Sequence, residues 1–187
     1  RSDFYEYNSS NDTWTSIATI PGSPRQYCSS FQIGNVGYVF GGSTSSSGPL
    51  NELLSYNAAA KEWEILPPLP SDGRQSASAF SIGKSGYVGL GGSSGMSFGD
   101  FWQYLSETKT WTKKHNFPGE KRYEATGFSI GGFGYVGLGK NNTGDFFSDF
   151  WKYIPLIDQW EKLAPFPGSI RTYVTSFVFQ DRAFIYG

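Results

Sequence analysis

Four arginines recur at intervals of 49, 48 and 49 residues along the chain of 187 residues: Arg25, Arg74, Arg122 and Arg171. A guanidinium group presents a planar set of donors that fits a carboxylate or phosphate, so several of them at one opening would favour an anionic ligand. An acidic column recurs with the same period at Asp3, Glu52, Asp100 and Asp149. If each arginine meets a carboxylate or a backbone carbonyl, the arginines stabilise the fold instead, and both alternatives stay open here.

A second column, two residues after each arginine, differs from copy to copy: it holds Tyr27, Ser76, Glu124 and Tyr173. This second position varies, whereas the arginine position does not, so it breaks the symmetry of the repeat. Recognition of an asymmetric ligand requires such a difference. Tyr27 and Tyr173 are candidates for stacking on a sugar or supporting a peptide, with ordinary strand packing as the alternative. Glu124 is a candidate acid or base, or a local partner of Arg122. These three residues and the four arginines form the predicted ligand-binding set.

Side chains for other chemistry are scarce. His115 is the only histidine and Cys28 the only cysteine, so the sequence holds neither a Cys/His metal cluster nor an intrachain disulfide. The column of Cys28 otherwise holds Ala77, Ala125 and Val174, which indicates a small apolar slot rather than a reactive thiol. We expect no metal and no cofactor, and we assign no catalytic residue.

The elements that must position these residues belong to an internal repeat. In each copy a tyrosine precedes a tryptophan, which precedes the arginine; the pairs are Tyr7 and Trp14, Tyr56 and Trp63, Tyr104 and Trp111, and Tyr153 and Trp160. After each arginine, apolar residues alternate with a period of two, which predicts a strand, here called strand a. A glycine turn, strand b, a polar loop, strand c and strand d follow. No segment has a helical pattern, so the chain is predicted to be all-β, with the tryptophans packed between units.

The arginines divide the chain into complete units 25–73, 74–121 and 122–170. Residues 1–24 hold only strands c and d, and residues 171–187 hold only strands a and b. The polar b–c loops, at 43–50, 93–99 and 141–148, vary most and are candidates for recognition. Lys140 stands where a glycine is expected after strand b, so that turn is expected to differ from its counterparts.

These repeated columns, together with runs such as 86–92 (GYVGLGG) and 100–104 (DFWQY), resemble the kelch repeat over essentially the whole chain. The resemblance implies a β-propeller with one four-stranded blade per repeat around a central channel. It also implies a role for the arginines, because kelch domains that bind acidic peptides use arginines at this repeat position. The runs are similar to those of bacterial secreted kelch proteins, which implies an extracellular or periplasmic location.

The number of blades is open. Three complete units and two complementary half-blades represent four blades, which would close into a ring if the two ends paired. The chain would otherwise be part of a larger propeller, or two copies would exchange half-blades. The expected state is therefore a monomer or a half-exchanged dimer.

The charge and hydropathy of the sequence exclude some classes of binding partner. The formal net charge of −1 predicts no general attraction to nucleic acid, and no apolar run is long enough for a membrane-spanning helix. The first hypothesis is a non-enzymatic kelch propeller that binds a protein, peptide or glycan, anionic ligands included, through the b–c loops and an arginine-lined channel mouth. The alternative is a sugar-acid isomerase similar to kelch-type sialic acid mutarotases, in which channel arginines would hold the substrate carboxylate.

Overall fold

The computed structural model describes residues 2–187, which form twenty β-strands. In chain order these are β1 (Phe4–Asn8), β2 (Thr13–Ile17), β3 (Ser29–Ile33), β4 (Val36–Phe40), β5 (Ser43–Thr44), β6 (Gly48–Pro49), β7 (Leu53–Asn57), β8 (Glu62–Leu66), β9 (Ser78–Ile82), β10 (Ser85–Gly89), β11 (Gly92–Ser93), β12 (Met96–Ser97), β13 (Phe101–Leu105), β14 (Thr110–Lys114), β15 (Thr126–Ile130), β16 (Phe133–Gly137), β17 (Phe150–Ile154), β18 (Gln159–Leu163), β19 (Thr175–Phe179) and β20 (Arg182–Tyr186). The prediction of an all-β fold is confirmed. Among the described residues no helix is long and apolar enough to cross a membrane.

Twelve of these strands form three antiparallel four-stranded sheets, each inside one repeat unit. Blade 1 has the order β3-β4-β7-β8, blade 2 the order β9-β10-β13-β14, and blade 3 the order β15-β16-β17-β18. Strands β3, β9 and β15 pack beside one another and form the inner wall. Because neighbouring strands run antiparallel, the starts of these inner strands and the b–c loops share one end, here the mouth end. The a–b and c–d turns lie at the opposite end, here the turn end.

The two half-blades stay separate. Strands β1 and β2 form one two-stranded sheet and β19 and β20 another, and within residues 2–187 no strand pairing joins these two sheets. The structure is therefore an open arc, and the closed four-blade ring that the complementary termini suggested is not formed.

Aromatic rings join each blade to the next. A Cβ at Gly86 of strand β10 would collide with the ring of Phe31 in β3, and a Cβ at Gly134 would collide with the ring of Phe80 in the same way. Glycine is therefore needed at this position of strand b wherever a preceding blade supplies the ring. The tryptophans of strand d also cross between units: the indoles of Trp63 and Trp111 donate to the carbonyls of Ala18 and Pro67 at 2.9 Å.

Candidate functional site at the mouth end

Three of the repeated arginines, Arg25, Arg74 and Arg122, are buried inside complete blades. Arg74 has 0% of its surface exposed, and its guanidinium donates to the Leu90 carbonyl at 3.1 Å and to the Asp100 carboxylate at 2.5 and 2.9 Å. Arg122 makes the same contacts in blade 3, with Leu138 and Asp149 as acceptors. Each pair is bidentate, the geometry in which a guanidinium binds a carboxylate most strongly.

The acidic column supplies the partners, from within the same unit. Asp100 and Asp149 follow their arginines in sequence, in the residues just before strands β13 and β17. Arg25 reaches the longer side chain of Glu52 through one contact of 2.7 Å, and its Nε and Nη1 are buried without a hydrogen-bond partner. Arg171 donates instead to the carbonyl of Gly187.

Two further tryptophans complete these ion pairs. The indole nitrogens of Trp102 and Trp151 donate to Asp100 and Asp149, each at 2.7 Å. Burial opposes ionisation of the Asp100 carboxyl, but its hydrogen bonds with Arg74 and Trp102 outweigh burial and hold its pKa below the ordinary value. The carboxylates therefore stay charged at neutral pH, and their ion pairs stabilise the blades.

The residues two positions beyond the arginines line a solvent-filled depression instead. This channel cavity has a volume of about 300 Å³ and is walled by the starts of the inner strands. The second column contributes all of its members to the wall: Tyr27, Ser76, Glu124 and Tyr173. None of the four arginines lines the cavity. The structure thus brings three predicted ligand-binding residues together and separates them from the other four.

These four wall residues all adopt a left-handed backbone conformation, with φ between 51 and 59°. Non-glycine residues rarely do so, and the strain of about 1–3 kcal/mol persists only where surrounding contacts impose it. Here the contacts are hydrogen bonds between blades: the amide of Ser76 donates to the Tyr27 carbonyl at 2.9 Å, and that of Glu124 to the Ser76 carbonyl at 3.0 Å. The fold therefore holds this column in place whatever side chain it carries.

Glu124 is the most unusual member of the wall. Its side chain is only 3% exposed, and its carboxylate pairs with the ammonium of Lys140 at 3.1 Å. The local pairing with Arg122 that the sequence suggested is not formed, because Asp149 and the Leu138 carbonyl already occupy that guanidinium. Hydrogen bonding to the Glu124 carboxylate, followed by partial burial, raises the pKa of Tyr173 to about 12.

Lys140 is a site residue that the sequence analysis did not select. Its ammonium lies 5.4 Å from the ring centroids of both Tyr123 and Tyr173, within the range of a cation–π contact. The turn that holds it was expected to differ from its counterparts, and it does. Tyr123 bridges Lys140 as Gln75 bridges Gly92 in blade 2, but Lys140 also bridges Phe146, and its described loop forms no two-stranded hairpin like β11-β12. The signal in the sequence was the lysine at a position where a glycine was expected.

A column of hydroxyl groups was also missed. Ser29 donates to the carbonyl of Ala77 at 2.7 Å, and Ser78 to that of Ala125 at 3.0 Å, so each hydroxyl joins its inner strand to the next. Cys28 lines the channel cavity between them, and its thiol donates weakly to the Gly41 carbonyl. Burial raises the pKa of this thiol, which keeps it protonated at neutral pH.

His115 lies far from this cavity in the fold, at the end of strand β14. Its imidazole is exposed and contacts the Asp158 carboxylate of blade 3 at 3.1 Å. Within residues 2–187 no group of three or more His, Cys, Asp or Glu side chains is arranged to hold a metal ion.

Comparison with known proteins bears on the fold and the family. The solved structure of YjhT superimposes with a TM-score of 0.85 at 18% sequence identity. The match covers 98% of this chain and 66% of that one, so the chain spans slightly less than two thirds of the YjhT structure. No curated protein is similar enough in sequence to match the chain. The family model described as the KLHDC2/KLHL20/DRC7 Kelch-repeats domain matches residues 1–187. This match covers the whole chain, and the repeated strands, glycines and arginines agree with it. The chain therefore belongs to this family of kelch-repeat domains.

Proposed function

We propose that this kelch domain is a non-enzymatic binding module that holds an extended peptide segment of a partner protein in the channel cavity. One observation carries the proposal: the position that varies between repeats is also the position that faces the cavity. Tyr27 and Tyr173 are 47% and 62% exposed there, although both carry large rings that would gain from burial against a partner. Protein binding is also the general role of kelch-repeat domains.

The chemistry of the wall favours a peptide of mixed polarity over a strongly acidic one. The charges of Glu124 and Lys140 offset each other, and the arginines that would attract an anion are engaged inside the blades. Two exposed tyrosines and the hydroxyls of Ser30 and Ser76 supply ring faces and hydrogen bonds, the usual composition of an adaptable binding surface. The b–c hairpins β5-β6 and β11-β12 rise beside this wall and would contact the flanks of the peptide.

Peptide selection tests the proposal. A phage-displayed library of random peptides is selected on the wild-type domain, and each enriched peptide is then measured against Tyr173→Ala. We expect the affinity to fall at least about tenfold, because a buried interface tyrosine is a typical hot spot. The control is Tyr5→Ala, which removes another exposed tyrosine, with 51% of its surface exposed, from the half-blade β1-β2. Peptides that bind Tyr173→Ala as well as the wild type would exclude the cavity as their site.

A second candidate, the sugar-acid isomerase, rests on one observation, the pairing of Glu124 with Lys140 at the cavity wall. Glu124 would be the acid or base, and Lys140, rather than an arginine, would hold the substrate carboxylate. NMR measurement of sialic acid mutarotation tests this candidate. Acceleration over buffer that Glu124→Gln removes would support it, and a rate equal to that of buffer would exclude it.

A further inference from the structure

Two clefts separate the three blades at the turn end, and they differ. The first cleft, between blades 1 and 2, has a volume of about 410 Å³ and a wall of mixed polarity; its residues include Tyr38, Ser55, Trp63, Glu64, Tyr104 and Lys109. The second cleft, between blades 2 and 3, has a volume of about 640 Å³ and an apolar wall that includes Ile82, Phe133 and Leu156. Neither cleft is part of the channel cavity.

The difference begins at one turn residue. In blade 3 the c–d turn carries Asp158, whose carboxylate accepts the hydroxyl of Tyr153 at 2.7 Å. In blade 2 the same turn position is Lys109, which pairs outward with Glu64 of blade 1. The counterpart of Tyr153 is Tyr104, and its hydroxyl is left without an acceptor from within residues 2–187.

Tyr104 is buried, with 1% of its surface exposed. A hydroxyl without a hydrogen-bond partner is costly there unless solvent or a ligand accepts its hydrogen bond. Tyr38 is the neighbour of Tyr104 across the first cleft, with 6.0 Å between the two ring centroids. Its hydroxyl also lacks a hydrogen-bond partner among the described residues. Neither oxygen is sealed from solvent. Two buried phenols therefore open onto the same cleft.

Other groups around the two phenols define the ligand chemistry. The hydroxyl of Ser55, the side-chain NH₂ of Asn57 and the carboxylate of Glu62 supply further donors and acceptors. The Ser106 hydroxyl already donates to the Lys84 carbonyl and is left as an acceptor. Val36, Leu66 and the ring of Trp63 supply an apolar side. We propose that the first cleft binds an uncharged hexose, whose hydroxyls would use the polar groups and whose C–H face would use the apolar side.

Charge and protonation agree with that choice. Burial, together with the nearby Tyr38 and Glu64, raises the pKa of Tyr104 to about 12, so its hydroxyl is a donor at neutral pH. Glu64 is neutralised by Lys109, whereas Glu62 has no cationic partner among residues 2–187. The wall thus carries one surplus negative charge, which disfavours sugar acids and phosphorylated sugars.

Saturation-transfer NMR of the wild-type domain tests the inference, with the methyl glycosides of glucose, galactose and mannose as the probes. We expect transfer to at least one of them, with a dissociation constant on the order of 1 mM. Tyr104→Phe keeps the ring and its packing and should weaken binding about tenfold, the loss of one hydrogen bond. The matched control is Tyr153→Phe, the same change at the equivalent position of blade 3 and outside the first cleft, which should leave binding unchanged.

A second variant supplies an acceptor for the Tyr104 hydroxyl from within the chain and leaves the aromatic wall of the cleft unchanged. Lys109 has a φ of 54°, which asparagine tolerates well, and an asparagine there would accept the Tyr104 hydroxyl as Asp158 accepts that of Tyr153. Lys109→Asn should therefore abolish transfer to the glycoside that binds the wild type. The inference is overturned if no glycoside receives transfer from the wild type. It is also overturned if Tyr104→Phe and Lys109→Asn bind normally, or if Tyr153→Phe weakens binding as much as Tyr104→Phe.

Discussion

Two columns of residues lie two positions apart at the mouth end and have opposite roles in the fold. The arginines are repeated without change; Arg74 and Arg122 are fully buried, and carboxylates and carbonyls of their own blades accept their hydrogen bonds. The residues two positions later vary between blades, apart from the two tyrosines, and face the channel cavity. Backbone hydrogen bonds join Tyr27, Ser76 and Glu124, and the Glu124 side chain also pairs with Lys140. In this repeat, constancy indicates the residues that build a blade, and variation indicates the residues available to a partner.

The largest expected effect comes from breaking an arginine pair. Asp100→Asn leaves the buried charge of Arg74 without its carboxylate and should lower the free energy of unfolding by about 3–5 kcal/mol, measured by denaturant titration. Glu52→Gln is the matched comparison. Because the Glu52 side chain is 43% exposed and makes one contact with Arg25, we expect a loss of at most about 1 kcal/mol. Equal losses would contradict the bidentate geometry as the source of stability.

A smaller effect is expected from the glycines of strand b. Gly86→Ala places a methyl group against the ring of Phe31 and should cost about 1–3 kcal/mol of unfolding free energy. Gly37 occupies the same column, but no atom lies near its would-be Cβ, since the preceding half-blade lacks a strand a. Gly37→Ala should therefore change stability by no more than about 0.5 kcal/mol. Thermal unfolding of both variants would decide whether the blade contact or the glycine itself matters.

Acid should weaken the ion pairs of the arginine column. The pKa values of Asp100 and Asp149 lie below the ordinary 3.8, so the unfolded chain binds more protons as the pH falls. Their contribution is complete above about pH 4 and is lost as the pH falls through the folded-state pKa values, by at most about 1.4 kcal/mol per pH unit for each group. Urea titrations at several acidic pH values give the unfolding free energy as a function of pH. This free energy should fall less steeply with falling pH in Asp100→Asn than in the wild type, and an equal dependence on pH would refute the linkage.

The contact between Glu124 and Tyr173 can be tested by titration. With Glu124→Gln the pKa of Tyr173 should fall from about 12 toward the ordinary 10.0, because the carboxylate that favours the neutral phenol is gone. The difference between absorbance titrations with and without Tyr173→Phe isolates this tyrosine. A pKa that stays near 12 in Glu124→Gln would place the cause elsewhere.

Much of the fold could be predicted because every blade repeats the same columns. The strands, the aromatic alternation at Phe31 and Ile33, and the packing of the tryptophans between units follow from period and residue type. The role of the arginines did not follow, because a guanidinium suits a ligand carboxylate as well as Asp100. Only the three-dimensional structure shows that the guanidinium of Arg74 already binds the carboxylate of Asp100 in its own unit.

The site was predicted in part for a related reason. Tyr27, Glu124 and Tyr173 were found because they interrupt a repeated pattern, and they do meet at one cavity. Lys140 interrupts a pattern too, but its pairing with Glu124 depends on a turn that brings strand b beside the start of strand a. The left-handed backbone of the wall could not be anticipated, since tyrosine and glutamate have no preference for it.

The most direct test measures peptide affinity and unfolding free energy together for one variant from each column. For Tyr173→Ala we expect a peptide selected on the wild type to bind at least about tenfold more weakly, with stability within about 0.5 kcal/mol of the wild type. For Asp100→Asn, measured where it remains folded, we expect normal affinity and a large loss of stability. The account is contradicted if Tyr173→Ala binds the peptide normally while folded Asp100→Asn does not.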